Sequence, residues 1–276
     1  MRKIVKIALA GAALMSTSSL AQTPPAAPAA APAPVPLIPS KLLEQSSEYR
    51  FQLDYQLNPA AVAKFLPAGW VQNPATTGAA KDCNVRVIFI DRVNIVGPDG
   101  RTPLGKGSAR MVYLAALVKE TATGNTGQMI IAGLTDNADD VPGAFGDYAL
   151  ATTAKMTRSV AADNGALTAT EDWQFQAASG ERIRMHVVFT PAPANKGGGT
   201  AQTKFYDPRD PSKFLLFQTD QVTDITRNVT TTPADRVKNF TFSAGGGKLA
   251  ALFDGTEKPL SWDSQRSYSR TVSTPQ

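Results

Sequence analysis

The chain has 276 residues, 42% of them hydrophobic and 18% charged, a formal net charge of +5, one cysteine and one histidine. The lone Cys83 excludes an intrachain disulfide, and with a single histidine it also excludes a zinc site of the Cys/His type; any Ser-His-Asp or Cys-His hydrolase would have to use His186. Arg2, Lys3 and Lys6 account for three of the positive charges, leaving 5 less 3, or +2, on the rest; those basic residues are scattered and not interleaved with aromatics, which argues against a nucleic-acid partner.

Residues 1–21 read as an export signal. Arg2, Lys3 and Lys6 form a basic start, residues 7–15 a short apolar core, and Ser19-Leu20-Ala21 offers the small residues a signal peptidase reads, so cleavage is expected after Ala21. The apolar run is too short to span a bilayer, where roughly 20 apolar residues are needed, and no other stretch qualifies; no integral membrane span is expected. Residues 22–39 are nearly all Ala and Pro, a spacer that cannot build a core. One folded domain is expected over residues 40–276, in a periplasmic or secreted location.

Residues 41–45 read as a short helix. Residues 49–57, YRFQLDYQL, alternate large apolar with polar residues as a half-buried strand does. Asn58 suits an N-cap and Pro59 the first helical position, giving a helix through Phe65 that the Leu-Pro-Ala-Gly-Trp of residues 66–70 stops. A β-branched strand follows at 84–96. Residues 100–108, GRTPLGKGS, approach a phosphate-binding loop, but Gly107 stands where a Ser or Thr is required, and the next run, 109–119, reads as a strand where a helix should follow. A glycine-rich connection explains it better.

A strand is expected at 128–135. Asp136, Asp139 and Asp140 are explained by a solvated turn, with no calcium-loop spacing. The central stretch, residues 141–158, opens with Pro-Gly and reads as helical; it carries Lys155 in uncharged surroundings, with Arg158 one helical turn on. A lysine amine becomes a nucleophile when desolvation or nearby positive charge lowers its pKa, and an exposed lysine on an amphipathic helix explains the same residues.

Strands at 166–176 and 181–190 flank a turn at Ser179-Gly180. The second puts Ile183, Met185, Val187 and Phe189 on one face and Arg182, Arg184 and His186 on the other. Residues 191–203 read as a flexible loop, 213–219, 222–230 and 236–243 as strands, 248–253 as a short helix, and 267–272 as a weaker strand. The fold class is mainly β with a few short helices: a large, mostly antiparallel sheet system, closed or sandwiched.

The order of these segments resembles the acetoacetate decarboxylase superfamily. LNPAAVAKFLPAGW at 57–70 resembles that family's helix ending in Leu-Pro-x-Gly, residues 85–93 its following strand, GDYALATTAKMTRSV at 146–160 its Gly-Arg-Glu...Pro-Lys-Lys segment, and FTFSAGGGKLAALFDGTEKP at 240–259 its glycine turn followed by a Leu-x-Leu-Phe run. The resemblance implies a cone-shaped β-barrel with an interior site, in which a lysine attacks a ketone to give a Schiff base. Matched without gaps, Ala154 takes the place of the family's first lysine, its nucleophile, and Lys155 that of the second; a one-residue shift moves Lys155 into the nucleophile's place. On that basis Lys155 and Glu171 are the expected catalytic residues, and Arg110, Arg158 and Tyr148 the expected substrate-binding residues. The implied function is that of an exported carboxy-lyase acting on a small keto acid or related carbonyl compound, with no metal and no cofactor. The alternative is a small-molecule-binding barrel that has lost the family's lysine pair; a homo-oligomer stays open in either case.

Overall fold

The computed structural model describes residues 36–137, 148–230 and 234–276. The expected export signal lies outside the described residues. Among the described residues, fourteen strands and two short helices follow one another from residue 40. They begin with β1 (Ser40–Gln56), α1 (Pro59–Ala63), β2 (Trp70–Gln72), β3 (Val85–Val96), β4 (Ala109–Glu120) and β5 (Thr126–Thr135). Next come β6 (Tyr148–Asp163), β7 (Ala166–Ala177), β8 (Arg182–Phe189), β9 (Asn195–Gly198) and β10 (Thr203–Asp207). The last are β11 (Asp210–Asn228), β12 (Ala234–Asp235), β13 (Val237–Gly245), α2 (Leu249–Leu252) and β14 (Lys258–Pro275). As expected, Asn58 caps α1, its side chain accepting from the Ala60 amide.

Seven strands close on themselves in the order β5, β10, β11, β14, β1, β3, β4 and back to β5. A ring with an odd number of strands cannot alternate direction all the way round. The one parallel contact this requires is β5 with β10, at Phe205↔Gln128 and Tyr206↔Met129. A second, antiparallel sheet, β6-β7-β8-β13, continues from β5 through a short parallel pairing of Gly133–Thr135 with Tyr148–Leu150.

Strand alternation sorts the ring's side chains into an outer and an inner set. The outward set includes Phe51, Leu53 and Tyr55 of β1 and Val87 and Phe89 of β3; it packs on Trp173 and Phe175 of β7 and on the apolar face of β8, Ile183, Met185, Val187 and Phe189. Phe89 meets Trp173 at 5.7 Å between ring centroids and Phe51 meets Phe189 at 6.0 Å. A second apolar cluster, with Ile88, Ile90, Tyr113, Phe205 and Phe217, lies inside the ring.

Three local expectations change. Residues 41–45 are extended, because they pair with β14 on one side and, at Gln45, with β3 on the other. The central stretch is not helical where it is described: from Tyr148 it is a strand of 16 residues paired with β7, and residues 141–147 lie outside the described set. The two runs at 213–219 and 222–230 are the single strand β11, bent by a register shift between Val222 and Thr223, and the weak terminal segment is the 18-residue β14.

Candidate functional site

All seven ring strands contribute to one cavity of about 350 Å³. β1 supplies Arg50, Gln52 and Asp54, β3 Arg86 and Ile88, β4 Tyr113 and β5 Gln128. β10 and β11 add Thr203, Phe205, Phe217 and Thr219, and β14 adds Asp263, Gln265 and Tyr268; the loop at Thr77–Ala80 lies over one end. The cavity is therefore the barrel interior.

The interior charges are mostly matched. Asp54 accepts from Ser261 Oγ at 2.7 Å and from Gln52 Nε2 at 3.0 Å, and stands 3.5 Å from Arg86 Nε. Farther along β1, Glu48 meets Arg50 at 2.5 Å, Arg270 at 2.9 Å and Arg92 at 3.4 Å, while Glu44 pairs with Arg92 and Arg270. Burial opposes ionisation of Glu48, yet Arg270, Arg50 and Arg92 hold its pKa down at about 2. Arg50 also stacks 3.6 Å over the Tyr268 ring. Burial, reinforced by the charge of Asp54, pushes the Asp263 carboxyl well above the usual carboxylate range, against the pull of Arg86.

The residues singled out in the sequence fall in four places. Tyr148 enters the barrel region: its ring packs against the inner apolar cluster and covers Gly133, and its hydroxyl is buried without a hydrogen-bond partner. Burial raises the Tyr148 phenol's pKa, Tyr113 adds to the rise, and Arg270, Arg92 and Arg50 oppose it. Arg158 and Glu171 are brought together, 3.4 Å apart, on the face of β6 and β7 that packs toward the barrel's outside. Glu171 also accepts from Trp173 Nε1, Arg158 lies over the Tyr49 ring, and burial raises the Glu171 pKa against the pull of Arg158. Arg110 stays at the barrel margin, paired with Asp136 at 3.3 Å and Asp91 at 3.6 Å.

Lys155 is exposed, on the opposite face of β6 from Arg158. It lines a shallow groove on the outside of the second sheet with Thr157, Asp172, Arg184, His186 and Thr241. There His186 Nδ1 and Asp172 Oδ1 are 2.7 Å apart. The expectation that Lys155, Arg158 and Glu171 share one site is thus corrected: in a strand, positions 155 and 158 point to opposite sides. Of the expected set, only Tyr148 packs on the inner apolar cluster, none lines the cavity, and no described lysine lines it either. Among the described residues no group of three or more His, Cys, Asp or Glu is placed to hold a metal ion, and no helix is long and apolar enough to cross a membrane.

Sequence reading missed Arg50, Asp54, Arg86, Gln128, Asp263 and Gln265. The signal was present in 48–54, where Glu48, Arg50, Gln52 and Asp54 occupy alternate positions. A polar face of this kind belongs to solvent in an open sheet and to the lumen in a closed one.

No protein-family model and no curated protein sequence matches the chain. Solved structures do match in fold. An acetoacetate decarboxylase-like enzyme from Sphingomonas wittichii RW1 aligns over 85% of this chain and 92% of its own, with a TM-score of 0.53 and 10% identity. The enduracididine biosynthesis enzyme MppR, complexed with pyruvate, aligns over 86% and 89%, with a TM-score of 0.50 and 14% identity. At these identities the likeness is one of fold, and the fold is acetoacetate decarboxylase-like, as the segment order implied.

Proposed function

We propose that the protein is an exported small-molecule-binding barrel whose ligand occupies the interior cavity without forming an imine there. One observation carries this reading: the seven-stranded ring encloses a polar cavity, and no described lysine lines it. Schiff-base chemistry needs an amine that loses its proton near neutral pH, which desolvation or adjacent positive charge brings about. The interior instead offers two guanidiniums, amides, hydroxyls and carboxyls, groups that bind and orient a ligand. Tyr148, with its buried hydroxyl, packs on the inner apolar cluster and does not itself line the cavity.

A second reading keeps carbonyl chemistry at Lys155, favoured by its place in a groove beside the Asp172–His186 pair. Borohydride reduction in the presence of acetoacetate or pyruvate, followed by peptide mass mapping, separates the two. The expected result is no stoichiometric adduct on any lysine and no carbon dioxide release above the buffer rate. Stoichiometric labelling of Lys155, lost in Lys155→Ala, would establish the second reading and overturn the first.

A further inference from the structure

We propose that the interior cavity is built for a neutral polyhydroxylated molecule of monosaccharide size, a sugar or cyclic polyol, in preference to a carboxylate. The inference rests on the reading of the barrel as a ligand-binding site and adds the chemical class of its ligand.

Charge makes the first case. The two guanidiniums in the wall already face fixed carboxylates, Arg50 at 2.5 Å from Glu48 and Arg86 at 3.5 Å from Asp54. An anionic ligand entering here would have to displace or crowd those acids. A neutral ligand meets no such opposition.

Hydrogen-bonding capacity makes the second. Gln128 is 9% exposed and Gln265 4%, and each keeps an amide oxygen without a protein partner; Asp263 keeps one carboxyl oxygen in the same condition. A buried amide left unsatisfied is destabilising, so a ligand that satisfies it is favoured. Each amide offers a donor and an acceptor, as does a protonated carboxyl, and burial with the charge of Asp54 favours that form of Asp263. Sugar hydroxyls are donor and acceptor in the same way, whereas a carboxylate only accepts. Thr203, Thr219 and Gln221 extend this surface.

Shape makes the third. Phe205 and Phe217 stack on each other at 4.1 Å with 23° between their planes and give the polar cavity one apolar part, with Phe205 paired in register beside Gln128, a mixed lining that suits a ring carrying both C–H and O–H groups. The volume of about 350 Å³ falls at the low end of small-ligand sites, roughly 300–1,000 Å³, which admits a single ring and not an oligomer.

The test is isothermal titration calorimetry on the full chain with two panels: myo-inositol, D-glucose and D-ribose against pyruvate, acetoacetate and succinate. At least one polyol is expected to bind one-to-one, at least tenfold more tightly than any of the carboxylates, and to bind about tenfold more weakly to Gln128→Leu and to Gln265→Leu, the equivalent of one buried hydrogen bond. Melting curves of both variants check that they fold. Binding by carboxylates alone, or by both panels equally, overturns the polyol assignment while the ligand-binding reading survives. Polyol binding unchanged in both folded variants places the sugar outside this cavity and overturns the assignment. If neither panel binds, native mass spectrometry of the purified chain decides: a retained hexose- or inositol-sized neutral species supports the assignment, a retained species of another class overturns it alone, and none overturns both readings.

Discussion

Glu48 is the side chain on which the most interior charge depends, since Arg50, Arg92 and Arg270 all reach it. Its folded-state pKa of about 2 lies below the ordinary 4.5. The stabilisation it provides is therefore complete above pH 4.5 and is lost as the pH falls toward 2, an effect of about 3 kcal/mol. Acid titration followed by circular dichroism should show an unfolding limb in that window. Glu48→Gln removes the charge, leaving Arg92 and Arg270 with Glu44 and Arg50 with no carboxylate; chemical denaturation at neutral pH should register a loss of about 3–5 kcal/mol, and the acid limb should flatten. A variant as stable as the parent would show that Glu44 suffices. Lys155 was legible in the sequence as a lysine in uncharged surroundings, but the side on which it emerges was not. Helical spacing puts 155 and 158 together, strand spacing separates them, and β-pairing with β7 decided between the two.

Among elements, the parallel contact of β5 with β6 is the joint between barrel and second sheet, and it is made possible by the absence of a side chain. A Cβ on Gly133 would sit 2.7 Å from the Tyr148 ring and 2.9 Å from the Val112 carbonyl oxygen. Tyr148 can shift, while the backbone of β4 is fixed by its neighbours on both sides. Gly133→Val is therefore expected to cost about 1–3 kcal/mol in urea denaturation and to change the near-ultraviolet dichroism by displacing Tyr148. Retained stability with an unchanged spectrum would mean that the joint tolerates bulk. β3, β4, β7 and β8 were read from the sequence close to their observed bounds, because each is rich in β-branched or alternating residues and ends at a turn. The extended state of 41–45 and the long β14 were not legible. Their residues, KLLEQ and a Ser- and Arg-rich run, carry weak strand preference and are held extended by pairing with each other and with partners distant in the chain.

At the scale of the molecule, the sequence indicated many strands and few helices, and resemblance supplied the barrel; the closure of the ring, which turns a polar strand face into the wall of an interior cavity, was beyond local reading. The expected export signal is open to direct measurement. Expressed with its native leader in a Gram-negative host, the chain should appear in the periplasmic or secreted fraction with Gln22 as its first residue by N-terminal sequencing. Recovery of an uncleaved chain starting at Met1 in the cytoplasm would overturn that expectation. The single thiol is compatible with an oxidising destination, since Cys83 is fully buried and burial raises its pKa strongly, leaving little thiolate to react.

The barrel's seam joins the first long strand to the last, β1 to β14, along nearly their whole length, and the Gln276 amide donates to the Pro39 carbonyl beyond it. Contacts this distant in sequence are entropically slow to form. While β14 is unmade, one edge of β1 and one of β11 lack a partner, so the ring cannot shut on the ribosome until that strand has emerged. The topology thereby works as a timer: closure waits for β14, however early the strands before it are made.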